Sequence, residues 1–169
     1  MSRPIYLTSD IRRLEQAAGS APLMERAGAA AAELAARIAS DKSKDILILA
    51  GPGNNGGDAV IAAERLKENF FRVHVVKRPE ELPKDAIHWS LVIDGLFGIG
   101  LTRPVEGDYA KLVDYANRQS CPVLALDVPS GLASDSGRVL GAHHHGMTPP
   151  LPRSFPAPRP CPAAGEPLI

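Results

Sequence analysis

Long apolar runs are missing from this chain: no stretch approaches the length needed to cross a bilayer. The opening residues MSRPIYLTSDIRR contain no apolar core of the kind a secretory leader carries, so no signal peptide is expected. Cysteine is scarce. Cys121 and Cys161 form neither a CxxC pair nor a regular framework, which fits a reducing compartment and gives a cytoplasmic expectation. An excess of one charge is also absent: nineteen basic residues balance nineteen acidic ones, which argues against non-specific binding to nucleic acid. The phosphate-binding signature GxxxxGK[ST] does not occur. Nor does a GxGxxG loop followed by an acidic residue at the next strand end, since RVHVVK (72–77) offers no partner for a ribose hydroxyl. A standard dehydrogenase is therefore disfavoured.

What remains is an ordinary globular composition, 44% hydrophobic and 22% charged over 169 residues, which suits one α/β domain. Apolar spacing predicts helices over 8–18, 21–39, 58–69 and 107–119, the second rich in alanine and suited to close packing. Short, nearly continuous apolar runs predict strands over 45–50, 72–77, 91–101 and 122–131. The connection 79–90 has room for one or two helical turns and is short for a full crossover. Strand and helix patterns alternate, which points to a parallel sheet with helices on both faces.

Ligands of open α/β sheets bind at the carboxyl ends of the strands. Three strands here end in unusual sequence: GPGNNGGD (51–58), DGLFGIGLTRP (94–104) and DVPSG (127–131). Four glycines and two asparagines in residues 50–60 lie between a strand and a helix. They suit either a tight turn or a loop whose free N–H groups, with a helix N-terminus, receive an anion such as phosphate. Asp58 is expected to begin the helix as its cap. Asp94 and Asp127 end two other strands, and together beside glycine loops they favour a ligand site. The oxygens of Asn55, Asp94 and Ser130 are candidate ligands of a hard cation.

Four segments carry a resemblance: LMERAG (23–28), AGPGNNGGDA (50–59), DGLFGIGLTRPVEG (94–107) and LALDVPSGLASDSGRVLGA (124–142). In this order they resemble the NAD(P)H-hydrate epimerase family, the YjeF N-terminal domain, over about residues 5–142. The resemblance implies a Rossmann-like three-layer αβα sandwich with a mainly parallel sheet. It implies epimerisation of the R and S forms of hydrated NADH and NADPH, an isomerase step in nicotinamide nucleotide repair, coupled to a separate dehydratase. A homodimer is compatible with it; a nucleic-acid or membrane partner is not expected. By motif, Asn54, Asn55, Gly56, Gly57 and Asp58 would bind substrate, as would Gly98, Ile99, Gly100, Leu101, Thr102, Arg103 and Pro104. Asp127 would contact substrate and catalyse, and Asn55, Asp94 and Ser130 would bind a potassium ion. The alternative is a non-catalytic nucleotide-binding or scaffold protein on the same fold, or an inactive truncated member.

Three features depart from the family pattern. Ala59 stands where glycine is usual, and the segment between the second and third strands is short. After Gly141-Ala142 the chain turns into a Pro-rich string where the family continues with further strands. A domain over 1–142 and an irregular tail over 143–169 are therefore expected, with the C-terminal strands missing and the sheet edge left open. A frameshift near residue 142 is the hypothesis that accounts for the change, because codons permitted for 146–157 can encode the family's strand in a shifted frame. Adjacent histidines in such a tail (His143, His144, His145) rarely make a preformed metal site.

Overall fold

A computed structural model describes residues 6–18, 22–39 and 41–144. The elements run α1 (Thr8–Ala17), α2 (Leu23–Ile38), β1 (Asp45–Ala50), α3 (Asn54–Glu68), β2 (Val73–Val76), a 3₁₀ turn (Pro79–Glu81), β3 (Trp89–Gly95), α4 (Gly107–Asn117) and β4 (Val123–Ala125). The strands form one sheet in the order β2-β1-β3-β4, and every pairing is parallel. This is the α/β architecture expected from the alternating pattern.

The run DILILA explains the centre of the sheet. A strand with neighbours on both edges and helices on both faces has no side facing water, so its sequence need not alternate. Ile46, Ile48 and Ala50 pack on one face with Ala35, Ala59, Ala62, Leu66 and Ile93. Leu47 and Leu49 pack on the other with Val92, Leu112, Val113 and Ala116. Helices α2 and α3 thus cover one face and α4 the other, giving three layers. The alanine stripe of α2 permits its close approach to α3, where a Cβ added to Gly28 would stand 2.5 Å from the Ile61 side chain.

The register brings the sites to one edge. Leu49 pairs with Asp94 and Ala50 with Gly95 across β1 and β3, while Asp94 pairs with Ala125 of β4. The ends of three strands therefore lie side by side. The connection from β2 to β3 passes β1 with a single 3₁₀ turn and no crossover helix, as its length predicts.

Three boundaries differ from the sequence reading. Helix α3 begins at Asn54, four residues before the expected start at Asp58. Tertiary packing overrides the low helix propensity of glycine there: a Cβ at Gly56 would stand 1.9 Å from the Gly51 carbonyl oxygen, so only glycine lets the first turn settle on the strand end. The third strand starts at Trp89 and stops at Gly95. The fourth shrinks to Val123–Ala125, because the chain leaves the sheet before Asp127. Of the expected tail, residues 145–169 lie outside the described residues, and so does the expectation about the open edge and missing strands.

Because β1 is buried from both sides, its side chains carry much of the core. Ile48, with no exposed surface, is predicted to cost about 2–5 kcal/mol when replaced by alanine. Urea denaturation of Ile48→Ala checks this, and a loss below about 1 kcal/mol would contradict the packing described.

Candidate active site at the strand ends

Asp94 lies at the end of β3 with no exposed surface. Its Oδ1 accepts a hydrogen bond from the Leu96 N–H at 3.1 Å and from Ser130 Oγ at 2.7 Å. Its Oδ2 accepts from the Ser130 N–H at 2.8 Å. Ser130 Oγ in turn accepts from the Phe97 N–H at 2.9 Å. One buried carboxylate therefore ties the loop after β3 to the loop after β4. Hydrogen bonds to an ionised acceptor are the strong kind. Asp94 and Ser130 are in direct contact, as a shared ligand set requires.

Asn55, in the first turn of α3, is 9% exposed. Among the described residues neither its Nδ2 nor its Oδ1 has a hydrogen-bond partner. A buried polar group left unpaired costs on the order of 1–3 kcal/mol, so such groups point to a missing ligand. This orphaned amide, together with the buried carboxylate and hydroxyl, fits a cation held through oxygen.

The glycine loop divides into two roles. Gly51 is structural: a Cβ there would stand 1.8 Å from the Leu96 carbonyl oxygen, and its N–H donates to the Gly95 carbonyl at 3.0 Å. Gly56 is structural for the reason given above. Gly53 faces open space, with nothing within 4 Å of an added Cβ. It is the N-cap of α3, and neither a side-chain cap nor an acidic residue occupies the first turn. The leading N–H groups of α3 are thus available to an anion approaching over Gly53.

Asp127 sits two residues beyond β4. Its Oδ2 accepts from the Ile99 N–H at 2.7 Å. Gly98 lies directly on this carboxylate, since a Cβ there would be 2.3 Å from Asp127 Oδ2. The structure thus brings Asp127 together with the start of the 98–104 loop. Gly100, Thr102, Arg103 and Pro104 are exposed, and Leu101 is half-buried.

Asp58 does not cap α3, contrary to the sequence expectation. With the helix starting at Asn54, it falls in the second turn. Its carboxyl is pushed up to about 6, first by burial, then by the charges of Asp127 and Glu15. Helix α1, which buries none of its own residues, supplies Glu15. That helix is fastened by the Thr8 N–H and Oγ1, both donating to Asp135 Oδ1 at 2.8 Å.

One residue at this edge escaped the sequence reading. His144, expected to lie in an irregular tail, has a side chain only 4% exposed, with Nε2 standing 3.1 Å from Asp94 Oδ2. Its neighbour is anchored too: Asn117 Nδ2 donates to the His143 carbonyl at 2.9 Å. No spacing rule shows that the side chain of His144 is buried. A cavity of about 180 Å³ lined by Ile38, Trp89 and Cys121 belongs to the opposite, amino end of the sheet and to none of these groups.

The position of Asp58 has a consequence for stability. Its carboxyl holds a proton more tightly folded than unfolded, so the native state binds more protons between the ordinary value of 3.8 and about 6. The contribution of Asp58 to stability therefore falls as pH rises through that window and stays at the lower level above it. Asp58→Asn is predicted to melt higher than the parent at about pH 8 and almost level with it at about pH 4. Thermal melts across the range check this; equal melting temperatures at high pH would contradict it.

The comparisons with known proteins fit this geometry. The family described as "YjeF-related protein N-terminus" matches residues 20–89 and 80–161. An NAD(P)H-hydrate epimerase from Bordetella pertussis is 47% identical over 154 residues, covering 78% of this chain and 66% of its own. The chain thus spans just under two thirds of that relative's length. An NAD(P)H-hydrate epimerase from Achromobacter xylosoxidans is 44% identical over 164 residues, covering 82% of this chain and 78% of its own. The crystal structure of yeast ynu0 has the same fold, with a TM-score of 0.69 at 20% identity over 84% of this chain and 77% of that one. By these matches the chain belongs to the YjeF-related N-terminal family.

Proposed function

We propose that this chain epimerises the R and S forms of hydrated NADH and NADPH. The observation that carries the reading is the pairing, at one sheet edge, of an uncapped helix N-terminus with two carboxylates of different character, Asp58 and Asp127. The relatives named NAD(P)H-hydrate epimerase support the substrate class.

The dinucleotide diphosphate would lie over Gly53 on the leading N–H groups of α3, where peptide dipoles favour an anion. Asn54 to Asp58 and the Gly98–Pro104 loop would flank it. The hydrated nicotinamide would then reach Asp127. The carbon bearing the hydroxyl adjoins the ring nitrogen, whose lone pair can expel the hydroxyl as water once it is protonated. The planar, iminium-like cation that results can be attacked by water from either face, and loss of a proton from the added water restores the neutral hydrate with inverted configuration. A positioned carboxylate both stabilises that cation and moves the proton. Asp127, held by the Ile99 N–H, suits the carboxylate role. Asp58, which keeps its proton up to about 6, suits the donor role.

Asn55, Asp94 and Ser130 would hold the potassium ion through oxygen. Such an ion supplies fixed positive charge that offsets Asp94 and braces the strand ends. Consumption of the S form by a separate dehydratase would draw the equilibrium. A relative from Thermofilum pendens named "Bifunctional NAD(P)H-hydrate repair enzyme Nnr", 37% identical over 150 residues, is covered by this chain over 28% of its length.

The test is Asp127→Asn. Epimerisation of purified R-hydrate, read with an added dehydratase, should fall by about 10²–10⁴-fold. Nucleotide affinity by calorimetry should stay within a few-fold. Unchanged turnover would overturn the assignment of Asp127, and no turnover by the parent chain would overturn the activity.

A further inference from the structure

We propose that Arg12 of α1 binds a phosphate group of the dinucleotide substrate. The inference rests on the reading of the start of α3 as an anion site, and adds to that site a charged side chain from another element.

Helix α1 has no part in the core, since none of its residues is buried. It reaches across the working edge instead. Its first residue is fastened to the loop after β4, with the Thr8 N–H and Oγ1 both donating to Asp135 Oδ1 at 2.8 Å. About one turn on, Arg12 lies over the loop after β3. A Cβ added to Gly100 would stand 3.4 Å from Arg12 Nη2, the one atom printed within 4 Å of it outside its chain neighbours. The preceding residue, Ile99, gives its N–H to Asp127 Oδ2. About one turn further along α1, the charge of Glu15 acts on Asp58 in α3. Arg12 and Glu15 are three residues apart and so share a face of the helix. That face spans the two segments proposed to flank the dinucleotide, the first turns of α3 and the 98–104 loop.

The Arg12 guanidinium has its donors to give. Its neighbour Arg13 is held by Asp10. Among the described residues Arg12 makes no hydrogen bond and no ion pair, not even with Glu15, and it is exposed. The uncapped start of α3 offers about half a unit of positive charge, which falls short of balancing a diphosphate near Asp58, Asp127 and Glu15. A guanidinium supplies a full charge and a planar fork of N–H groups that matches two phosphate oxygens. Backbone N–H groups from α3 and the guanidinium from α1 would then hold the phosphate from two sides.

The experiment measures binding of NADH, NADPH and ADP-ribose to the full chain by calorimetry, for the parent, Arg12→Gln, Arg12→Lys and Arg13→Gln. Arg12→Gln should weaken binding about tenfold or more, with no change in melting temperature, because Arg12 packs in no core. Arg12→Lys should recover part of the loss, and the loss should shrink in high salt. Equal losses for all three ligands place Arg12 on the diphosphate; a loss for NADPH alone places it on the ribose phosphate. In turnover, Arg12→Gln should raise KM for the hydrate and leave kcat within a few-fold, the mark of a contact kept through the reaction. Affinities unchanged by Arg12→Gln would overturn the inference and leave the anion site standing. An equal loss from Arg13→Gln would also overturn it, since the effect would then belong to the helix and not to one side chain. If the parent binds none of the three ligands, the anion-site reading and the inference fail together.

Discussion

The buried carboxylate of Asp94 is the interaction on which the working edge of the sheet depends. A strand end is normally where the chain becomes free to wander. Here Asp94 accepts from the Leu96 N–H and from both the N–H and the hydroxyl of Ser130, so the loops after β3 and β4 leave the sheet locked to one another. The lock decides where later residues fall. Gly98 and Ile99 come to rest on the carboxylate of Asp127 because their loop starts from a fixed Phe97, whose N–H is bound by Ser130. The glycines after β1 extend the same construction: Gly51 and Gly56 allow backbone to meet backbone where any side chain would collide.

This edge gathers negative charge. Asp58, Asp127 and Glu15 lie close enough for their charges to interact, at an edge proposed to receive an anionic dinucleotide. Three features offset the repulsion. The leading N–H groups of α3 point outward with no capping side chain. Asp58 keeps its proton up to about 6 through burial and the nearness of Asp127 and Glu15. The amide of Asn55, buried and without a hydrogen-bond partner among the described residues, belongs to the proposed cation site, whose positive charge would offset Asp94. A site built to stabilise a developing positive charge on a nicotinamide ring needs carboxylate nearby, and it must also hold a diphosphate. The helix N-terminus and the proposed cation position would let both needs be met within one edge.

Much of the fold was legible in the sequence because it follows from burial. DILILA suited a doubly covered strand, and the alanines of α2 suggested close packing against another element. The start of α3 was not legible. Asn-Asn-Gly-Gly reads as loop by propensity, and it becomes helix because the Gly51 carbonyl and the strand ends receive it. Asp58 was misplaced as a cap for the same reason. The strand-end residues were legible as types, through oxygen-bearing side chains beside glycine loops, and by resemblance for their roles. That Asp94 and Ser130 touch, and that Asn55 is left unpaired, are tertiary facts that no local pattern contains. His144 was the hardest: its burial depends on Asn117, twenty-seven residues away.

The account stands or falls on whether this edge exchanges the hydroxyl of a hydrated nicotinamide by loss and return of water. The direct measurement is to give the purified chain the R form of hydrated NADH in heavy-oxygen water and follow both epimers by chiral separation and mass spectrometry. The account predicts that the S form appears faster than in a protein-free control and carries the solvent's oxygen. Interconversion no faster than the control, or an S form that keeps the original oxygen, would contradict it.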